Sequence, residues 1–418
     1  MRADRRARTR LRRREFLGAA GLAAGLAAAG RAFPTFEEGA KGANERLGVG
    51  FIGTGGRCGS HIDIVNGLKQ QNLTQPVAVC DVYAPRVAAA SARTGGSKVY
   101  RNHQDLLADP AVDLVCIASP DRHHAPQAID AVRAGKDVYV EKPLTHWTQF
   151  DLAAQLADEA EKAKRIVQVG TQYMADPAYG KVRDLLQQGV IGKPVHAQAG
   201  FFRRGDWGER MPIPDENAKP GPDLDWDRFL GEAPKVPFTV SRFFQWRLYW
   251  DYSGGPATDL LVHTYTPIFC MLGADYPERV SGMGGKWQYD GLREVPDTFN
   301  MVIDYPGGPS VVLMNTLSNE TGCESFVRGT EGLLRFEGTR IILHPHGAKD
   351  PSHVIDSQGF GDTGKLWLDL IECVRTRRRP LSPVDMGARV QAPLNMAILS
   401  YRESKVARFD KEKRKIIV

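Results

Sequence analysis

From Leu47 the chain alternates short apolar runs with stretches whose apolar residues recur at helical spacing. The runs are LGVGFIG, PVAVCD, KVY, VDLVCIAS, KDVYVEK and RIVQVGT, and residues 123–134 and 146–163 are two of the helical connectors. Strands apolar on both faces and joined by helices belong in a parallel sheet that is covered on both sides. The pattern therefore predicts a doubly wound, Rossmann-type α/β domain over residues 47–170.

The pattern changes after residue 170. A helix near 176–188 and the strand candidate KPVHAQAGFF lead into a Pro/Gly-rich stretch, 205–240. A helix is predicted over 256–272. It is followed by strand candidates in RVSGMGGKWQY, DTFNMVIDY, SVVLMNTL, CESFVRGT, GLLRFEG and RIILH, some separated by turns such as Pro306-Gly307-Gly308. Consecutive strands with short turns imply an open, mainly antiparallel sheet. Helices near 364–378 and 386–403 close an α+β domain expected to span 171–418.

The first 30 residues read differently. RRREFLG, Arg12–Gly18, precedes an Ala/Gly/Leu run ending at Gly30, with Ala27-Ala28-Ala29 as a small-residue cleavage site. The adjacent Arg13 and Arg14 followed by Glu15, Phe16 and Leu17 resemble a twin-arginine export signal, although Arg12 stands where Ser or Thr is usual and Gly18 where Lys is common. That resemblance implies the twin-arginine export machinery as a partner and the periplasm as destination, with a signal over 1–30 and a polar linker over 31–46. The apolar run is too short and too rich in Ala and Gly to make a stable membrane span. Eight arginines against Asp4 and Glu15 in this segment account for the entire formal charge of +6. The remainder is neutral, with no basic stripe for nucleic acid. The six cysteines contain no Cys-x-x-Cys pair and read as buried thiols rather than as disulfides or metal ligands.

GFIGTGGRCGSH closes the first strand and opens a helix. Gly53 and Gly55 occupy two positions of a G-x-G-x-x-G loop, where the backbone turns tightly and admits a pyrophosphate at the helix N-terminus. Cys58 holds the third position, with Gly59 next. Asp81 ends the second strand, where a carboxylate accepts hydrogen bonds from an adenosine ribose and repels a 2′-phosphate. NAD is favoured over NADP, with Arg86 available to offset that preference. Thr54, Gly56 and Arg57 complete the candidate loop.

In AGKDVYVEKPLTHW, Glu141, Lys142 and Pro143 end an apolar strand, and Pro143 restricts the backbone so that Lys142 is held in a defined direction. Asp259 and His263 lie four residues apart, on one face of the predicted helix. Together, Gly53-Thr54-Gly55, AGKDVYVEKPL and DLLVH resemble the Gfo/Idh/MocA oxidoreductases over residues 47–410. The resemblance implies that Lys142 reaches the reacting carbon near the nicotinamide and that Asp259 and His263 complete a catalytic site, with Lys142 and His263 interchangeable as acid and base. It also places Ser119, Pro120 and Asp121 along the cofactor, with His124 downstream; Glu141 and Gln172, each just past the end of a predicted strand, are further candidates for the cofactor site. RFFQWRLYWDY, 242–252, reads either as core or as a surface for stacking a sugar ring. No histidine has metal-ligand spacing, and no metal is expected.

The expected activity is NAD-dependent hydride transfer from a hydroxyl of a sugar, glycoside or polyol. An exported enzyme without a cofactor pool outside would bind NAD tightly and return it to its starting state. Two alternatives stand beside this: a redox-neutral glycosidase or lyase working through a transient keto-sugar, and a non-catalytic sugar-binding protein. The resemblance also implies subunits pairing through the open sheet as a homo-oligomer.

Overall fold

The structure, a computed structural model, describes residues 46–206, 209–289, 291–359 and 361–418. The export signal read at 1–30 and residues 31–45 of the linker lie outside these. Among the described residues no helix is long and apolar enough to cross a membrane.

Six parallel strands build the first sheet: β1 (Leu47–Ile52), β2 (Thr74–Cys80), β3 (Lys98–Tyr100), β4 (Leu114–Ile117), β5 (Asp137–Val140) and β6 (Val167–Val169). Their order is β3-β2-β1-β4-β5-β6. Every residue of β4, β5 and β6 is buried, as expected for strands covered on both faces. The connecting helices are α1 (Gly56–Gln70), α2 (Ala84–Arg93), α3 (His103–Leu107), α4 (Asp121–Arg133) and α5 (Phe150–Ala163). The chain reverses its winding between β1 and β4, so their carboxyl ends open the crevice in which doubly wound sheets bind ligands.

The second half begins with α6 (Ala178–Gln187), the long β7 (Pro194–Arg204), α7 (Trp226–Leu230), α8 (Val240–Phe244), α9 (Pro256–Asp259) and α10 (Leu261–Leu272). Strands β8 (Arg279–Gly285), β9 (Thr298–Asp304), β10 (Ser310–Thr316), β11 (Ser318–Asn319), β12 (Phe326–Gly329), β13 (Gly332–Glu337), β14 (Arg340–Pro345) and β15 (His353–Asp356) follow. The chain ends with α11 (Thr363–Thr376), α12 (Val384–Glu403), β16 (Ala407–Asp410) and β17 (Lys415–Ile417). The sheet runs β15-β14-β13-β12-β7-β10-β9-β8-β16-β17, with β11 paired to β7. It is antiparallel except where β10 lies parallel to β7. Alternate residues of β9 and β10 are buried against the helices, which leaves the other face open.

Two features tie the halves together. Leu366, Trp367, Leu370 and Ile371 of α11 pack in one core with Phe51, Ile62 and Tyr139, so this late helix covers the first sheet. Between β7 and α9, Leu224, Trp226, Phe229, Phe243, Phe244, Trp246 and Tyr252 form a separate aromatic core with Tyr83, the residue before α2. The aromatic run at 242–252 is therefore largely interior, which is where its burial places the most apolar area out of water.

The helix predicted over 256–272 is interrupted. Lys142 Nζ donates to the carbonyl of Asp259 at 2.9 Å, and the His263 amide turns to the carbonyl of Leu260 at 3.0 Å. A side chain inserted into the i→i−4 ladder accounts for the break. Asp259 ends α9 and His263 lies in α10.

Candidate active site

Gly53 has φ of +80°, and a Cβ there would sit 2.5 Å from the Ser119 backbone. Only glycine fits this turn. At Gly55 and Gly56 a Cβ would meet no protein atom within 4 Å. The N-terminus of α1 carries no side-chain cap, so its amides are left for an anion. These features fit a dinucleotide pyrophosphate. Cys58 fills the third glycine position and is fully buried.

Asp81 Oδ2 accepts hydrogen bonds from the Thr54 amide at 2.8 Å and hydroxyl at 3.2 Å. Its Oδ1 accepts from the Tyr83 amide at 3.0 Å, which leaves capacity on that oxygen for a ribose hydroxyl. The Arg86 guanidinium stands 5.0 and 5.1 Å from the ring centres of Phe243 and Phe244. The His124 ring nitrogens lie 2.6 and 2.7 Å from the carbonyls of Pro143 and Ser119, joining the loops after β4 and β5.

A cavity of about 640 Å³ follows this crevice. Gly53, Gly55, Gly56, Arg57, Asp81, Ser119, Pro120, His124, Glu141 and Lys142 line it, together with Met211, Pro212, Phe243, Phe244, Trp246 and Arg247. Thr54, Gln172, Asp259 and His263 are not among its lining residues. Gln172 lies in the turn after β6, with its Oε1 buried and unpartnered.

At the edge of this cavity, Lys142 Nζ donates to Asp259 Oδ1 at 2.8 Å. Both side chains are largely buried. The Arg247 Nε donates to the same oxygen at 3.4 Å. Burial alone would raise the Asp259 pKa, but the charges of Lys142 and Arg247 outweigh it and hold the carboxyl far below its usual range. His263 forms no hydrogen bond with Asp259 among the described residues, and its Nδ1 is buried without a partner. Burial, then the Lys142 charge, pushes this imidazole down to about 3, so it is neutral at ordinary pH.

Arg247 stands out only as a charged residue inside an aromatic run. Two further carboxyls join the cluster. Glu209 is fully buried with neither oxygen hydrogen-bonded, and burial followed by the nearby Asp259 charge pushes it up to about 8. Asp121, the first residue of α4, faces the Ser253 hydroxyl without a well-formed hydrogen bond. Burial, opposed by Arg247, pushes its pKa up to about 7.

The last shift has a consequence for stability. As pH rises from the ordinary aspartate range toward 7, the unfolded chain releases the Asp121 proton while the folded protein keeps it. Folding then opposes ionisation and stability falls across this window. In cofactor-free protein, Asp121→Asn should remove that decline. Relative to Asp121→Asn, wild type is expected to lose on the order of 3 kcal/mol between about pH 5 and about pH 8. Parallel urea midpoints for the two proteins across that range would contradict the assignment.

Comparison with known proteins decides the family. A model of the Gfo/Idh/MocA oxidoreductases described as "NAD-binding Rossmann fold" matches residues 47–171, and its companion, "C-terminal alpha/beta domain", matches 177–418. The chain belongs to the Gfo/Idh/MocA family. Its first domain is thus an NAD-binding one. Inositol 2-dehydrogenase of Rubrobacter xylanophilus is 33% identical over 167 residues, 40% of this chain and 46% of that protein. The chain thus spans about half the length of the curated relatives it matches. Levoglucosan dehydrogenase in complex with NADH and levoglucosan superposes with a TM-score of 0.67 at 16% identity, over 87% of this chain and 99% of that one. Aldose-aldose oxidoreductase from Caulobacter crescentus, complexed with glycerol, gives 0.64 at 18% identity, over 87% and 100%. Among the described residues no cluster of three or more His, Cys, Asp or Glu side chains is arranged to hold a metal.

Proposed function

We propose that this Gfo/Idh/MocA protein is an NAD-dependent oxidoreductase that acts on a hydroxyl of a sugar, glycoside or polyol. The observation that carries this reading is the Lys142–Asp259 contact at the edge of the nucleotide crevice, with neutral His263 nearby. The names of the relatives, an inositol dehydrogenase and a levoglucosan dehydrogenase, support the substrate class.

Bound nicotinamide supplies the hydride acceptor. The protein's residues manage the oxygen that loses its proton. Lys142 donates toward that oxygen and stabilises its growing negative charge. Neutral His263 accepts the proton. Burial and the Lys142 charge suppress its basicity, and the developing alkoxide offsets the second of these, so the imidazole gains basicity as transfer proceeds. Asp259 keeps Lys142 in register. The orphaned atoms Gln172 Oε1 and His263 Nδ1 are groups that a polyhydroxylated ligand could satisfy.

The aromatic core between β7 and α9 supports cofactor retention, since Phe243, Phe244 and Met211 line the same cavity as the glycine loop. Retention suits export of a folded holoprotein through the twin-arginine route, the destination that Arg13 and Arg14 favour. It also favours the redox-neutral reading, in which a transient ketone permits elimination and the cofactor ends as it began. The test purifies the exported protein, measures its NAD content, and screens polyols, free sugars and glycosides with mass spectrometry of products. Near-stoichiometric NAD with a ketone product supports the oxidoreductase. A released sugar or aglycone without net reduced nicotinamide selects the redox-neutral cycle, and carbohydrate binding without any product returns the protein to a binding role.

A further inference from the structure

Arg57 and His61 lie one turn apart on α1, and Thr363 and Trp367 lie one turn apart on α11. The two pairs face each other around Glu141. The Trp367 indole donates to His61 Nδ1 at 2.9 Å, and His61 Nε2 lies 2.8 Å from Glu141 Oε1. That carboxylate oxygen also accepts from Arg57 Nε at 2.8 Å, and Arg57 Nη2 reaches the Thr363 hydroxyl at 3.4 Å. Glu141 Oε2 accepts the backbone amide of Lys142 at 3.3 Å. His61 and Trp367 are fully buried, and Tyr139 stacks on the indole with ring centres 5.1 Å apart and planes within 2°.

The chemistry of this chain of contacts has one solution. An indole N–H only donates, so His61 Nδ1 must accept. The remaining ring proton is then on Nε2 and points at Glu141, which makes His61 a neutral donor to the carboxylate. Burial and the Arg57 charge favour that neutral form, while Glu141 opposes it. Glu141 is in turn held ionised: burial resists the charge, but Arg57, His61 and Lys142 overcome it. Arg57 spends its Nε on Glu141 and lines the nucleotide crevice at the N-terminus of α1.

We propose that Trp367 and His61 are positioning residues of the cofactor site: the indole fixes the His61 tautomer, His61 aligns Glu141, and Glu141 holds both Arg57 at the crevice and the main chain of Lys142. This rests on the NAD-binding reading of the first domain and adds to it a dependence on α11, a helix from the second half of the chain. The groups facing His61 are Glu141, Arg57, Tyr139 and Trp367, and among them only Glu141 and Arg57 are charged.

The test is equilibrium binding of labelled NAD to the full-length protein. His61→Leu removes the donor to Glu141 and is expected to weaken NAD binding about tenfold, the scale of one hydrogen bond to a charged group. His61→Gln places an amide N–H where Nε2–H was and is expected to remain within about threefold of wild type. Trp367→Phe keeps the stack on Tyr139 but frees Nδ1. His61 then has a ring nitrogen open to a second proton as pH falls; taking it up makes His61 compete with Arg57 for Glu141, so NAD affinity is expected to fall toward acid pH more steeply than in wild type. Trp367→Phe leaves an aromatic ring in that core, and it decides the matter if His61→Leu does not fold. Unchanged affinity in His61→Leu, or equal losses in the Leu and Gln variants, would overturn the proposal. So would a pH profile for Trp367→Phe that overlays wild type. Failure of wild type to bind NAD would sink the cofactor reading as well, whereas tight wild-type binding with unaffected variants sinks this inference alone.

Discussion

Replacing Lys142 by methionine is expected to lower kcat by about three orders of magnitude or more and to leave NAD binding within about threefold. Methionine keeps most of the side-chain length and removes the ammonium, so the substrate oxygen loses the charge that stabilises its alkoxide character. The fold should survive. Asp259 would still be paired through Arg247, whose Nε lies 3.4 Å from Oδ1, so no uncompensated carboxylate is created. The released Asp259 carbonyl can take the His263 amide, which would join α9 and α10 into the uninterrupted helix that the sequence pattern predicts. Two readouts separate this from general damage: single-turnover rate at saturating substrate, and NAD affinity. Near-normal turnover in Lys142→Met would move the chemistry away from Lys142, and loss of NAD binding would reassign Lys142 to the cofactor.

The same residue shows how far the chain can be read without coordinates. Strands β1 to β6 and the glycine loop are legible because their signals are local: apolar continuity, a turn that requires Gly53, and an acidic residue at the end of β2. Lys142 is legible because Pro143 and its strand fix its context. What fails is anything decided by distant pairing. The break at Leu260 depends on Lys142 entering a helix 117 residues further along. Arg247 looks like one more residue in an aromatic run, yet folding sets it beside Asp259. Glu209 is an ordinary surface-type residue by composition, and Asp121, expected along the cofactor, is made unusual by its burial. His61 on α1 gains its partner Trp367 from a helix 306 positions away. Strands β15 to β17 are short and carry polar residues at sheet margins, where partial burial relaxes the alternation that marks β9 and β10.

Asp259→Asn is expected to give the largest loss of stability of any single substitution in the site, because it leaves two cations facing each other in a buried cluster. The carboxylate is shared by Lys142 at 2.8 Å and Arg247 at 3.4 Å, with all three side chains less than a fifth exposed. Removing one partner of a buried ionic group costs about 3–5 kcal/mol, since the remaining charges keep their desolvation penalty and lose the interaction that offset it. The neutral amide also no longer holds Lys142 in register, so turnover should fall with stability. A second substitution separates repulsion between the cations from a merely local defect. Arg247→Met alone should be only mildly destabilising, because Asp259 keeps its closer cation, Lys142 at 2.8 Å. Added to Asp259→Asn it should restore part of the lost stability, giving a favourable coupling of about 1–3 kcal/mol in a double-mutant cycle read by urea denaturation. Simple additivity of the two changes would show that Arg247 and Asp259 do not interact energetically. Recovery of stability without recovery of turnover in the double variant is the expected pattern, because the cluster regains charge balance while Lys142 still lacks the carboxylate that aims it.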